Sequence, residues 1–267
     1  MREKIKILVL TDILFLAILM MSGMISGVLS TVIYFLAFIV PFAFAVTASK
    51  TGIKTKEHLL PVKNADVALA GVFPTVITVI VISSVTAALM NLFGKEQAVE
   101  LGDDLLLALL LHALLPAFLE EALFRYLPMK LLARENGRAC VLISAILFAL
   151  SHHSFFSVFY AFVAGVSFML IDIISDSVIP SFIIHFLNNA LSVLLTFYSG
   201  SAYLAPAVIG AVAALACVSL IYLFVIRKRV AAILSERLVT KEKYRFSYEI
   251  LLFAIPALIV AMGEILV

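Results

Sequence analysis

The stretch Asp103–Leu132, DDLLLALLLHALLPAFLEEALFRYLPMKLL, decides how this chain folds. Crossing roughly 30 Å of hydrocarbon takes about 20 mostly apolar residues in a helix, and this run is long enough. Working outward, similar runs separated by charged or turn-rich stretches recur over residues 8–26, 28–48, 66–93, 138–156, 157–175, 178–199, 203–226 and 247–267. No charge marks the cut between the first two or the cut at His152–Ser157, so eight or nine spans are expected. The predicted architecture is an all-α, polytopic helix bundle, one membrane domain over residues 1–267. Composition agrees, because 64% of residues are hydrophobic and 13% charged, where soluble domains run near half and a quarter. A soluble globule is excluded. A net charge of +2 leaves no electrostatic footprint for nucleic acid. Cys140 and Cys217 lie far apart in apolar runs and make neither a disulfide framework nor a paired-thiol metal signature. The N-terminal run begins basic and continues without an A-x-A-like site, so it reads as an uncleaved anchor. Gly23-x-x-x-Gly27 is a spacing at which two helices can approach closely.

Short cytoplasmic loops collect Lys and Arg. With the N-terminus inside, four segments fall on one side: Arg2 to Lys6, Lys50 to Lys63, Lys130 to Arg138, and Arg227 to Arg245. Together they hold 17 of the 19 basic residues. The two exceptions are Lys95, in an outer loop beside Glu96, Glu100, Asp103 and Asp104, and Arg125, inside a span. The chain is therefore placed in the cell membrane with a cytoplasmic N-terminus.

Ionisable groups inside a span are costly and normally face the protein interior. Three sets stand out: Glu120-Glu121 with Arg125, Phe148-Ala-Leu-Ser-His152-His153, and His185-Phe-Leu-Asn188-Asn189. At 1.5 Å per residue, Glu120 lies roughly 18 Å from the inner end of its helix, His152 roughly 21 Å, His185 roughly 11 Å and Asn189 roughly 17 Å. Residues four apart share a helix face, which pairs Glu121 with Arg125 and aligns His185 with Asn189. Glu120 is turned about 100° from Glu121 and stays free. Pro116 removes one helical hydrogen bond and is expected to kink the helix beside it.

A buried carboxylate suits a general base that takes a proton from water, which makes Glu120 the candidate, with His152 holding that water. A neutral imidazole N–H on His185 and the amide N–H of Asn189 can stabilise an oxyanion. No nucleophile elbow, phosphate loop or H-E-x-x-H zinc helix occurs. Plainer readings compete: a helix-orienting ion-pair network for Glu120 and Glu121, although one Arg cannot neutralise two carboxylates, and interhelical glue for His185 and Asn189. His153 reads as structural, and His112 as packing or a cavity wall. Asp172 and Asp176 read as solvated at a helix end, and Asp12 and Glu264 as interfacial.

The three motifs EExxxR, FxxxH and HxxxN, in order on separate spans between about Pro116 and Leu195, resemble the CAAX protease and bacteriocin-processing family of intramembrane endopeptidases, also called CPBP or Abi. Its prototype is the Ras-converting CAAX endopeptidase. The resemblance implies a protease with Glu120 as base and His152 as its water-positioning partner. It makes His185 and Asn189 the oxyanion hole and Glu121 with Arg125 the structural pair. It implies a metal-free glutamate mechanism, with zinc as the alternative. The chain departs from the family pattern at Tyr126, where a small residue usually follows the Arg. The substrate would be a membrane-associated peptide or protein, lipidated or membrane-anchored in some members. It would be cut at a cavity open to the cytoplasmic side or laterally to lipid. The competing functions are a catalytically silent immunity or scaffold protein, and a transporter, whose repeated halves are not evident here.

Overall fold

The computed structural model describes residues 1–50, 58–93, 101–152 and 155–238. Among the described residues there are helices and no strand. In chain order they are α1 (Arg2–Gly23), α2 (Val28–Ala48), α3 (Ala65–Leu92) and α4 (Leu105–Leu132). After these come α5 (Gly137–Leu150), α6 (Phe155–Ser175), α7 (Ile179–Phe197), α8 (Leu204–Val225) and α9 (Arg227–Arg237). Seven of them, all but α5 and α9, are long and apolar enough to cross a bilayer, which makes this a multi-pass membrane protein. The run 247–267 lies outside the described residues.

The fifth expected span is shorter than its apolar run. Residues 138–156 read as one crossing, yet α5 stops at Leu150 after 14 residues, about 21 Å at 1.5 Å per residue. It ends because Ser151 Oγ and His152 Nδ1 both donate to the Phe148 carbonyl, at 2.8 Å each, where a continuing backbone would have placed an amide. A short helix is tolerated here because α5 is wrapped by protein: most of its residues are buried, so its end need not meet lipid. It packs on α6 and α4, and α7 lies against α3, α4 and α6. The α1–α2 hairpin leans on α4, and α8 covers α3.

The α5–α6 crossing depends on a missing side chain. A Cβ on Gly165 would lie 2.9 Å from the Ala145 Cα, the close approach that small residues permit between membrane helices. Gly23 and Gly27 have another role. α1 ends at Gly23 and Gly27 turns with φ +75, with nothing within 4 Å of either would-be Cβ, so they make the α1–α2 turn and no helix contact.

One end of the bundle gathers the basic segments, and cross-element pairs hold them together. Lys4 and the Met1 amino group reach Glu135 in the α4–α5 turn. Asp66 on α3 takes two bonds from Arg229 on α9, at 2.6 and 3.0 Å. Asp176, in the α6–α7 turn, accepts from His58 at 3.0 Å and Lys63 at 2.6 Å, with Arg237 at 3.6 Å. Asp176 is therefore a tie between segments where a solvated charge was expected. Asp172 and Asp12 depart further from expectation: both are buried. Asp12 has no hydrogen-bond partner among the described residues.

Two predictions follow from this packing. Gly165→Ala should destabilise by about 1–3 kcal/mol, because the contacted atom is backbone and cannot rotate away. In detergent it should melt below the wild type, whereas Gly210→Ala, with open space around it, should not. The hydrogen bond from His58, with Lys63 beside it, holds the Asp176 carboxyl well below the usual carboxylate range. A depressed carboxylate stabilises above its unfolded pKa, about 3.9, and that contribution is lost as pH falls through the lower folded value. Asp176→Asn keeps the left-handed backbone conformation, φ 52, which Asn tolerates. It should melt lower than wild type at pH 7, and the difference should shrink on acidification.

Candidate active site

The site is assembled by a helix that departs from regular geometry twice. Within α4, residues Leu110–Leu114 and Ala122–Tyr126 widen into π-helical turns, each ending two residues before a proline, Pro116 and Pro128. Such widening is a recognised way to accommodate a lost i→i−4 bond. Its consequence at Pro128 is chemical. The Phe124 carbonyl, four residues earlier, loses its helical donor and accepts instead from Arg125 Nη1 at 3.1 Å and from Ser144 Oγ on α5. Ser144 also accepts from Arg125 Nη1 at 3.3 Å.

Arg125 is wholly buried. Its guanidinium lies 4.3 Å from the Phe148 ring centroid and 5.5 Å from that of Phe168, and its Nε sits 3.4 Å from Glu121 Oε2. The Glu121–Arg125 pair expected from the i, i+4 spacing is present. The other Glu121 oxygen, Oε1, lies 2.8 Å from His185 Nδ1. A carboxylate only accepts, so His185 donates through Nδ1 and turns Nε2 toward Glu120 Oε2, 3.8 Å away. Glu120 itself is partly exposed, unlike Glu121, and the two adjacent carboxylates serve different surroundings.

His152 comes from the end of α5. Its Nδ1 donates to the Phe148 carbonyl, which settles its tautomer when neutral and leaves Nε2 as an acceptor. The ring stands edge-on to Phe148 and to Tyr160, with centroids 4.7 and 5.9 Å apart. Glu120, His152, His185 and Asn189 line one cavity of about 290 Å³ together with Leu101, His112, Tyr160, Ser192, Val193 and Thr196. Of the six expected site residues, Glu120, His152, His185 and Asn189 share this wall, and Glu121 and Arg125 stand behind it. Asn188, on nearly the same helical face, bonds weakly to Asn189 at 3.5 Å and is not a wall residue. His112 is a wall residue. His153 lies outside the described residues.

Two contributors escaped the sequence reading. Tyr160 faces Glu120 across the cavity and within electrostatic reach of it; its hydroxyl, eight residues after His152 in an apolar helix, was the available signal. Asp172 is the other. α7 has no side-chain cap of its own, so its first amides are served from outside: Ile179 N by Ser177 Oγ at 3.2 Å and Ser181 N by Asp172 Oδ1 at 3.1 Å. Pro180 has no amide to serve. Asp172 thereby caps α7 from the last turn of α6, one turn ahead of His185, and periodicity gives no signal for such a cross-helix cap.

The cavity that holds Glu120 has walls that run toward Leu101 and Thr196, away from the end that holds the basic segments. A second cavity of about 380 Å³, lined by Phe42, Phe118, Tyr126 and Phe182, opens on the other side of α4 and reaches Glu121 only.

Residues 102–191 match the family model described as Type II CAAX prenyl endopeptidase Rce1-like. The matched block contains all three motifs, and the family resemblance of this region stands. No curated protein and no solved structure matches the chain. Every motif residue lies within the Rce1-like block, which spans about a third of the chain.

Among the described residues no group of three His, Cys, Asp or Glu side chains lies at metal-binding distance, while Glu120, His152 and His185 line one cavity; no step below is routed through a metal.

Removing Arg125 would strand the buried Glu121 charge, which typically costs about 3–5 kcal/mol. Arg125→Ala should therefore collapse the monodisperse peak in detergent gel filtration. Glu121→Gln combined with Arg125→Ala should cost less than the two single changes added together.

Proposed function

We propose that this protein is an intramembrane endopeptidase of the cell membrane, its N-terminus cytoplasmic, in which Glu120 activates water against a peptide bond of a membrane-associated protein or peptide. The observation that carries the reading is one cavity lined by a carboxylate, two imidazoles and an amide from α4, the end of α5 and α7.

The division of labour follows from donors and acceptors. Glu120, on the open side of the Glu-Glu pair, takes a proton from water. His152, with Nδ1 committed to Phe148, offers Nε2 as an acceptor for the second hydrogen, so the water's lone pair is directed by two acceptors. His185 has its Nδ1–H committed to Glu121, and Nε2 can donate only when the ring carries a second proton. Glu120, Glu121 and Arg125 together leave one negative charge, which an imidazolium at His185 balances. That imidazolium N–H and the Asn189 amide N–H then stabilise the oxyanion formed as water adds to the carbonyl. Glu120 returns its proton to the leaving amine, the C–N bond breaks, and acid and amine products form with atoms balanced.

A positioned general base contributes about 10²–10⁴-fold in rate, and one oxyanion donor about 10²–10³-fold. Glu120→Gln should therefore abolish detectable hydrolysis at normal expression, and Asn189→Ala should leave weak residual activity. Comparative mass spectrometry of peptides from cells carrying wild type or Glu120→Gln reads both the substrate and the cut. A Glu120→Gln protein that retains the full biological effect would instead favour the catalytically silent immunity or scaffold role. Treatment of purified protein with a chelator should leave hydrolysis unchanged.

A further inference from the structure

The cavity is closed at one end and open at the other, and the two ends differ in charge. Toward the basic segments the way is blocked by Arg125, Phe124, Phe148 and Phe168, all buried, with Glu121 behind Glu120. In the other direction the α7 face that carries His185 and Asn189 continues through Ser192 to Thr196, at intervals of three or four residues, and α4 contributes His112. Ser192, Thr196 and His112 are exposed. Polar side chains on otherwise apolar membrane helices normally face a cavity or the protein interior, and these line the cavity that holds Glu120. It ends at Thr196, the penultimate residue of α7, and at Leu101, ahead of α4.

The opposite ends of these two helices lie in the basic belt. α7 begins beside Asp176, which is tied to Lys63 and Arg237, and α4 ends at the turn carrying Glu135, tied to Lys4. The cross-element pairs place the basic segments on one face, the face that the bias toward cytoplasmic Lys and Arg makes cytoplasmic. Among the described residues, the mouth end carries no Lys or Arg.

We infer that the catalytic cavity opens on the extracytoplasmic face, and that the substrate is a peptide segment presented from that side of the membrane, because the polar wall that holds Glu120 leads only away from the basic belt. The inference rests on the hydrolase reading for the word substrate but not for the direction of opening. It replaces the cytoplasmic half of the expectation of a cavity open to the cytoplasmic side or laterally to lipid.

Cysteine accessibility tests it. Thr196→Cys and, separately, Leu101→Cys mark the mouth, and Arg138→Cys marks the exposed basic end. All are made in a Cys217→Ala background, with Cys140 shut in the core. Intact cells are treated with a membrane-impermeant maleimide before and after permeabilisation. The mouth cysteines should be labelled in intact cells, and Arg138→Cys only after permeabilisation. Mouth cysteines that stay unlabelled in intact cells, or an Arg138→Cys that is labelled there, overturn the inference. Two mouth positions guard against one variant failing to fold. Assaying hydrolysis by the protein with Glu120 intact, alongside the labelling, separates the two claims: absent hydrolysis with outside labelling refutes the protease alone, and hydrolysis with labelling confined to permeabilised cells refutes the orientation alone.

Discussion

The buried pair of Glu121 and Arg125 is the constraint on which the site depends. A guanidinium in the core of a membrane protein is tolerated only when its charge and its hydrogens are met. Here the charge is met by Glu121, the faces by Phe148 and Phe168, and part of the donor set by a carbonyl that Pro128 set free. Each partner sits on a different helix from the next, so satisfying one arginine draws α4, α5 and α6 to a common depth. Through its second oxygen Glu121 extends the same network to α7 and fixes the orientation of the His185 ring. The adjacent carboxylates thus divide the work, Glu121 holding the architecture and Glu120 facing the cavity.

Helix termini do much of the remaining positioning. His152 is held where α5 stops, and it helps stop it, since its ring nitrogen takes the carbonyl that a further amide would have used. α7 starts under a carboxylate lent by α6. Both imidazoles therefore lie within a turn or two of a helix end whose backbone groups are satisfied by side chains, and their positions follow from hydrogen-bond accounting rather than from hydrophobic packing, which contributes little specificity between helices in lipid.

The asymmetry of the bundle follows from the same economy. Charged segments are tied together at one end by Asp66, Glu135 and Asp176, and the aromatic and guanidinium layer above them is buried. The cavity wall continues beyond Glu120 and His185 through His112 on α4 and Ser192 and Thr196 on α7, in the other direction. A chain in which every charged loop had been equally distributed would offer no such separation between a sealed end and a hydrated one.

By itself the amino-acid sequence determined the all-helical membrane class, because runs of about 20 apolar residues have one stable state in hydrocarbon, and it determined which few polar residues had to be explained. It also determined the Glu121–Arg125 pair and the shared face of His185 and Asn189, since both are local consequences of the helical repeat. Only the tertiary structure decided that α5 ends early, that Asp172 and Asp12 are buried, that Asp176 ties segments together, and that Tyr160 faces Glu120. It alone showed which residues share the cavity with Glu120. These are contacts between residues tens of positions apart, set by which helix packs beside which, and periodicity along one helix holds no record of its neighbours.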